Sequence, residues 1–146
     1  MINTESLNFR LFVAVIPVYI IGFIGNTLVI RIVHKTRDMH STTNHLLANL
    51  AVSDVITILL APLYFFSYHI GYKSSAFGKF SCKLLVHSDI SITTSALTLS
   101  LLAIERYHAS LKPFRTGLRL TDENIKQAIA LIWMLSFFIV FPEFFV

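Results

Sequence analysis

The chain has 146 residues, 55% of them hydrophobic and only 14% charged, with a mean hydropathy of +0.69. Soluble domains carry about a quarter charged residues, so this composition excludes an ordinary water-soluble fold, which would lack polar surface. A net charge of +4 does not indicate a nucleic-acid partner, because the basic residues lie between apolar blocks and not together on one helix face. With one cysteine, Cys82, no disulfide closes within the chain. A cleavable signal peptide is not expected, since the first apolar block is too long for one and lacks a basic lead. At roughly 20 residues per membrane span, the length accommodates four helices and their loops.

The first apolar block, 11–30, contains no charge and is flanked by Arg10 and Arg31. Twenty residues rising about 1.5 Å each cross the roughly 30 Å hydrocarbon core, which predicts a spanning helix over about 9–34. Pro17, Gly22 and Gly25 lie inside it, as membrane helices tolerate. A short basic loop, 34–40, follows, and residues 41–44 (Ser-Thr-Thr-Asn) are suited to capping the next helix. That second helix is expected over 43–69, with a kink at Pro62. Its one acid, Asp54, costs roughly 3 kcal/mol to insert, which about a dozen Leu, Ile, Val and Phe residues offset at 0.3–0.6 kcal/mol each. Residues 71–80, rich in Gly, Ser and Lys, read as an exposed turn.

The third block, 82–109, differs in kind. His87, Ser88, Asp89, Ser91, Thr93, Thr94, Ser95, Thr98 and Ser100 are interleaved with Leu and Ile. Such a helix suits the interior of a bundle, where hydroxyls find partners, better than a lipid-facing place. A basic loop, 112–119, precedes a fourth helix over 122–146, opened by Thr121 as cap and two acids, Asp122 and Glu123, at the positive end of the helix dipole. The loops set the orientation. With the N-terminus outside, Arg31, Lys35, Arg37, Arg106, Lys112, Arg115, Arg119 and Lys126 are cytoplasmic, against Arg10, Lys73, Lys79 and Lys83 outside. That asymmetry satisfies the positive-inside rule.

Six features in order then resemble one family. Gly25-Asn26 stands in the first helix, and Leu50-Ala51-Val52-Ser53-Asp54 in the second. Phe77-Gly78 precedes Cys82, and Glu105-Arg106-Tyr107 ends the third helix with Pro113-Phe114 downstream. Trp133 and then Pro142 lie in the fourth. Each is weak alone, but their order and placement resemble the rhodopsin-like (class A) G-protein-coupled receptors over nearly the whole chain. The fold implied is an all-α membrane protein, with residues 1–146 forming a partial seven-transmembrane receptor domain that holds the first four helices.

The resemblance implies roles for particular residues. Asp54, Ser95 and Asn26 would line part of a sodium pocket in the complete receptor; the plainer reading is a buried hydrogen-bond network without an ion. No other cofactor is implied. Glu105, Arg106 and Tyr107 would form the activation switch that meets a heterotrimeric G protein, whereas an unspecialised Arg106 would only snorkel to the interface. Pro113 and Phe114 would help dock that protein, with a membrane-surface anchor as the plainer role for Phe114. Cys82 would be half of a disulfide to the second extracellular loop; otherwise it is a small apolar residue.

Asp89 lies about two turns from Cys82, near where amine receptors hold their ligand-binding aspartate. Counting from Cys82 places it there, while counting from Arg106 misses by one residue, which is about 100° of rotation. A ligand contact and a structural polar role therefore both stand. Trp133 reads as a packing or lipid-facing anchor without chemistry. Two departures from the family are Ser75, where many members have tryptophan, and a short N-terminus without a glycosylation sequon.

The function expected is transmembrane signalling from an extracellular ligand, a peptide first and an amine second, to a G protein. The peptide preference rests on Tyr64-Phe65-Phe66 near Pro62 and on the basic outer loop. Membrane lipid is the other partner and the plasma membrane the expected location. No nucleophile–base pair, phosphate loop or metal-ligand cluster points to an enzyme. An alternative is a non-signalling truncated product that associates with full-length receptors and regulates them; a four-helix transporter subunit is disfavoured by the lack of an internal repeat. In isolation, four such helices are expected to fold poorly or to assemble with another chain.

Overall fold

The computed structural model describes residues 4–36, 38, 41–69, 76–111 and 121–142. They form four helices in chain order: α1 (Thr4–Lys35), α2 (Thr42–His69), α3 (Ala76–Leu111) and α4 (Asp122–Val140). In hydrocarbon no water satisfies a free backbone amide, so helices that close every bond internally are the natural solution. The two expected caps are in place. Ser41 Oγ accepts from the Asn44 amide at 3.3 Å, and Thr121 Oγ1 accepts from the Asn124 amide at 3.4 Å.

Two helices outrun their apolar blocks, whereas α4, expected over 122–146, ends at Val140. α1 begins at Thr4 and α3 at Ala76, so residues 76–80, expected as an exposed turn, are helical. Gly78 is the sole breaker in that stretch. A helical glycine costs only about 1 kcal/mol, too little to stop a helix that has already nucleated. Pro17 and Pro62 both lie inside continuous helices.

α2 is the hub, packing against α1, α3 and α4, while α3 also packs on α4. The shared interior is small and unusually polar. Among the described residues, Leu46, Ala51, Ile125, Ile132 and Val140 are buried beside Asn49, Ser53, Ser91, Thr94, Thr98, Glu105 and Ser136. Apolar side chains gain little by leaving lipid for protein, so small residues and interhelical hydrogen bonds carry the association. The apolar surface faces outward instead: Ile21 is 72% exposed and Phe138 67%. Water would not tolerate a patch of that extent.

Three helices are long and apolar enough to cross a membrane, over Val13–Lys35, Thr42–Pro62 and Glu123–Val140. Among the described residues α3, expected to span as well, is not one of them, because its many hydroxyls lower its hydropathy. The chain is an all-α integral membrane protein.

The α1–α2 contact makes its own prediction. A Cβ on Gly22 would lie 3.1 Å from Ile58 Cδ1, whereas one on Gly25 would meet nothing within 4 Å. Gly22→Leu should therefore lower thermal stability in detergent, by about 1–3 kcal/mol of overpacking. Gly25→Ala should be neutral or mildly stabilising by the same melting measurement.

Candidate functional site

Among the described residues, a polar cluster joins three helices at Asn49 of α2. Its side-chain amide is nearly shut off from the surface and uses both ends. Nδ2 donates to Thr98 Oγ1 of α3 at 2.9 Å, and Oδ1 accepts from the Trp133 indole Nε1 of α4, also at 2.9 Å. Each hydroxyl nearby spends its single proton once. Thr98 donates to the Thr94 carbonyl at 2.7 Å, Thr94 to Ser136 Oγ at 2.9 Å, and Ser136 to the Ile132 carbonyl at 2.8 Å. Ser53 closes the group by donating to the Asn49 carbonyl at 3.1 Å. Trp133 is thus more than the packing anchor expected: its N–H pins α4 to α2.

One turn along α2, Ser95 Oγ donates to Asp54 Oδ1 at 3.0 Å. These two of the three expected cavity residues come together. Asn26 does not join them, because its Nδ2 donates to the Gly22 carbonyl of its own helix at 2.9 Å. Asp54 and Ser95 offer oxygens of the kind a hard cation takes, but two ligands fall short of a full set. No cluster of three or more His, Cys, Asp or Glu groups forms among the described residues.

At the other end of α3, Glu105 is only 7% exposed although it is an acid. Thr42 Oγ1, in the first turn of α2, donates to its Oε1 at 3.4 Å. Arg106 is exposed, and no ion pair links it to Glu105. Tyr107 is exposed too, with its ring edge-on to that of His108 at 5.6 Å. Consecutive helical residues point about 100° apart, which separates a buried Glu105 from an outward Arg106.

Asp89 is half-buried and hydrogen-bonds to no described residue. The buried stripe of α3, Ser91, Thr94, Thr98 and Glu105, faces α2 and α4. Asp89 shares instead the opposite side with Ala96 and Ser100, both exposed, at spacings of 7 and 11 residues. It lies on the side of α3 turned away from the stripe that bonds α2 and α4. Cys82 lies near the start of α3, but its side chain falls outside the described residues, as do Pro113, Phe114 and the side chains of Tyr64, Phe65 and Phe66.

A family model described as 7 transmembrane receptor (rhodopsin family) matches residues 25–146. The chain belongs to the rhodopsin family of seven-transmembrane receptors. Among its relatives, the growth hormone secretagogue receptor type 1 of Sus scrofa is 32% identical over 123 residues, 84% of this chain and 33% of that receptor. A QRFP-like peptide receptor of Branchiostoma floridae is 33% identical over 131 residues, 88% of this chain and 34% of that protein. An octopamine receptor of Drosophila melanogaster is 37% identical over 128 residues, 87% of this chain and 19% of that protein. The chain thus spans about a third, or less, of the length of the curated relatives it matches.

Sequence reasoning missed Asn49. The available signal was an amide lodged in an apolar helix, which in lipid must find partners on neighbouring helices. Which partners depends on helix rotation. The network predicts that Trp133→Phe, which strands the Asn49 acceptor, lowers receptor stability by about 1–3 kcal/mol. Combined with Asn49→Leu, the loss should be smaller than the sum of the two single losses, as a double-mutant cycle of melting temperatures in detergent will show.

Proposed function

We propose that this receptor chain carries the intracellular switch and part of the ligand pocket of a receptor that activates a heterotrimeric G protein. The observation that carries the reading is the cytoplasmic end of α3, where Arg106 stands exposed and unpaired beside a buried Glu105. A guanidinium free of its neighbouring carboxylate is available to a docking protein. A ligand that favours one arrangement of this pair over the other biases a two-state element. Family membership and the Glu-Arg-Tyr triplet support the same assignment. Tyr107, Pro113 and Phe114 would complete the docking surface, with Phe114 as its apolar contact.

The N-terminus lies outside in this reading, supported by the loop charges, and the plasma membrane is the site of action. Cys82 then faces the oxidising side, where a disulfide to an extracellular loop can form. Asp54 and Ser95 would contribute oxygens to a sodium site completed by other parts of the receptor. On the side of α3 away from its bonded stripe, Asp89 supplies a carboxylate for a cationic ligand group, such as a peptide guanidinium or ammonium. A peptide remains the first choice and a small amine the second; the relatives include a peptide receptor and an octopamine receptor. Neither geometry nor relatives lend support to a non-signalling product.

Arg106→Ala in the full receptor should abolish G-protein activation while leaving ligand binding and surface expression intact. Unchanged coupling at equal expression would sink the assignment. With octopamine and an arginine-bearing peptide panel as probes, Asp89→Asn should weaken binding of the cationic probe by roughly tenfold or more, the scale of one hydrogen bond to a charged group. Equal affinity for every probe would remove Asp89 from the pocket.

A further inference from the structure

Among the described residues, one buried side-chain nitrogen or oxygen has no hydrogen-bond partner, the Nδ1 of His108. It lies three residues beyond Glu105 on α3, so the two side chains are neighbours along one face of the helix. Glu105 is buried, and its described hydrogen bond is the long 3.4 Å contact from Thr42. An ionised carboxylate accepts up to about four hydrogen bonds. A buried acid short of donors therefore lies next to a buried imidazole nitrogen short of a partner.

We infer that His108 is a positioning residue for the switch: its Nδ1–H donates to the Glu105 carboxylate and, with Thr42, holds that carboxylate away from Arg106. The inference rests on the reading of Glu105 and Arg106 as the coupling switch. Helix geometry favours it. Arg106 is the very next residue and must fold back through about 100° to reach Glu105, whereas a side chain three residues on already lies over the same face. The two groups are not hydrogen-bonded in the structure, and the proposed bond requires a side-chain rotation along their common face. His108 and Arg106 thus compete for one carboxylate, and occupancy by His108 leaves the arginine free for a docking protein.

The test measures ligand-independent nucleotide exchange on purified G proteins by the full receptor in nanodiscs, normalised to receptor number. The parent should show basal exchange; its absence would overturn the inference. His108→Leu keeps bulk but removes the donor, and should lower basal exchange by roughly fivefold, the scale of one net hydrogen bond. His108→Asn carries an N–H at the reach of Nδ1 and should restore it. Should the leucine variant fail to fold, His108→Gln, whose amide nitrogen sits at the reach of Nε2, takes its place with the same expected fall. Parent-like exchange in the leucine variant, or in the glutamine variant that replaces it, overturns the role of His108, as does a loss in His108→Asn equally deep. Arg106→Ala, run in parallel, separates the two layers. Exchange that survives it overturns the switch reading and this inference with it, while exchange lost there but unmoved at His108 overturns the inference alone.

Discussion

The bundle depends on one side-chain amide. Asn49 is a polar group in the middle of an apolar helix, and leaving its donor and acceptor unmet there would cost several kcal/mol. Both are met across helix boundaries, by Trp133 from α4 and Thr98 from α3. Since lipid offers apolar surfaces no reason to associate, this directional contact and the Thr94–Ser136 bond beside it fix how α2, α3 and α4 are rotated against one another. Rotation in turn decides which residues of α3 face inward.

The candidate sites follow from that rotation. With Thr94 and Thr98 turned toward α2 and α4, Ser95 comes round to Asp54 and Glu105 toward Thr42. Arg106 is left exposed, and Asp89 points away from the bonded stripe. One helix thereby presents a carboxylate at one end and a guanidinium at the other, joined by a rigid hydroxyl-lined rod. A small shift of α3 against α2 would be felt at the weak Glu105–Thr42 contact sooner than in the tightly bonded middle, because the former has a single long hydrogen bond and the latter a closed set.

Much of the fold was legible in the chain alone. The apolar blocks predicted four helices, the Ser41 and Thr121 caps fell where capping chemistry placed them, and the ordered motifs identified the family. The hydroxyls of the third block correctly foretold a helix turned toward its neighbours. Helix ends were less legible: hydropathy marks where a helix leaves the membrane, not where its backbone bonding stops, so 76–80 is helix and not turn. Trp133 was legible as an anchor but not as a hydrogen-bond donor to Asn49, because residue type says nothing of where its N–H points.

By itself, then, the sequence determined composition-driven properties: membrane insertion, the number of helices present, the charge asymmetry of the loops and receptor kinship. These depend on residue type and spacing along the chain. Only the tertiary structure decided the partners. It assigned Ser95 and not Asn26 to Asp54, Thr42 and not Arg106 to Glu105, and left His108 Nδ1 buried without a bond. The reason is geometric. A hydrogen bond needs donor and acceptor within about 3 Å, whereas one residue of register turns a side chain by about 100°, so pairing is settled only when the helices are packed.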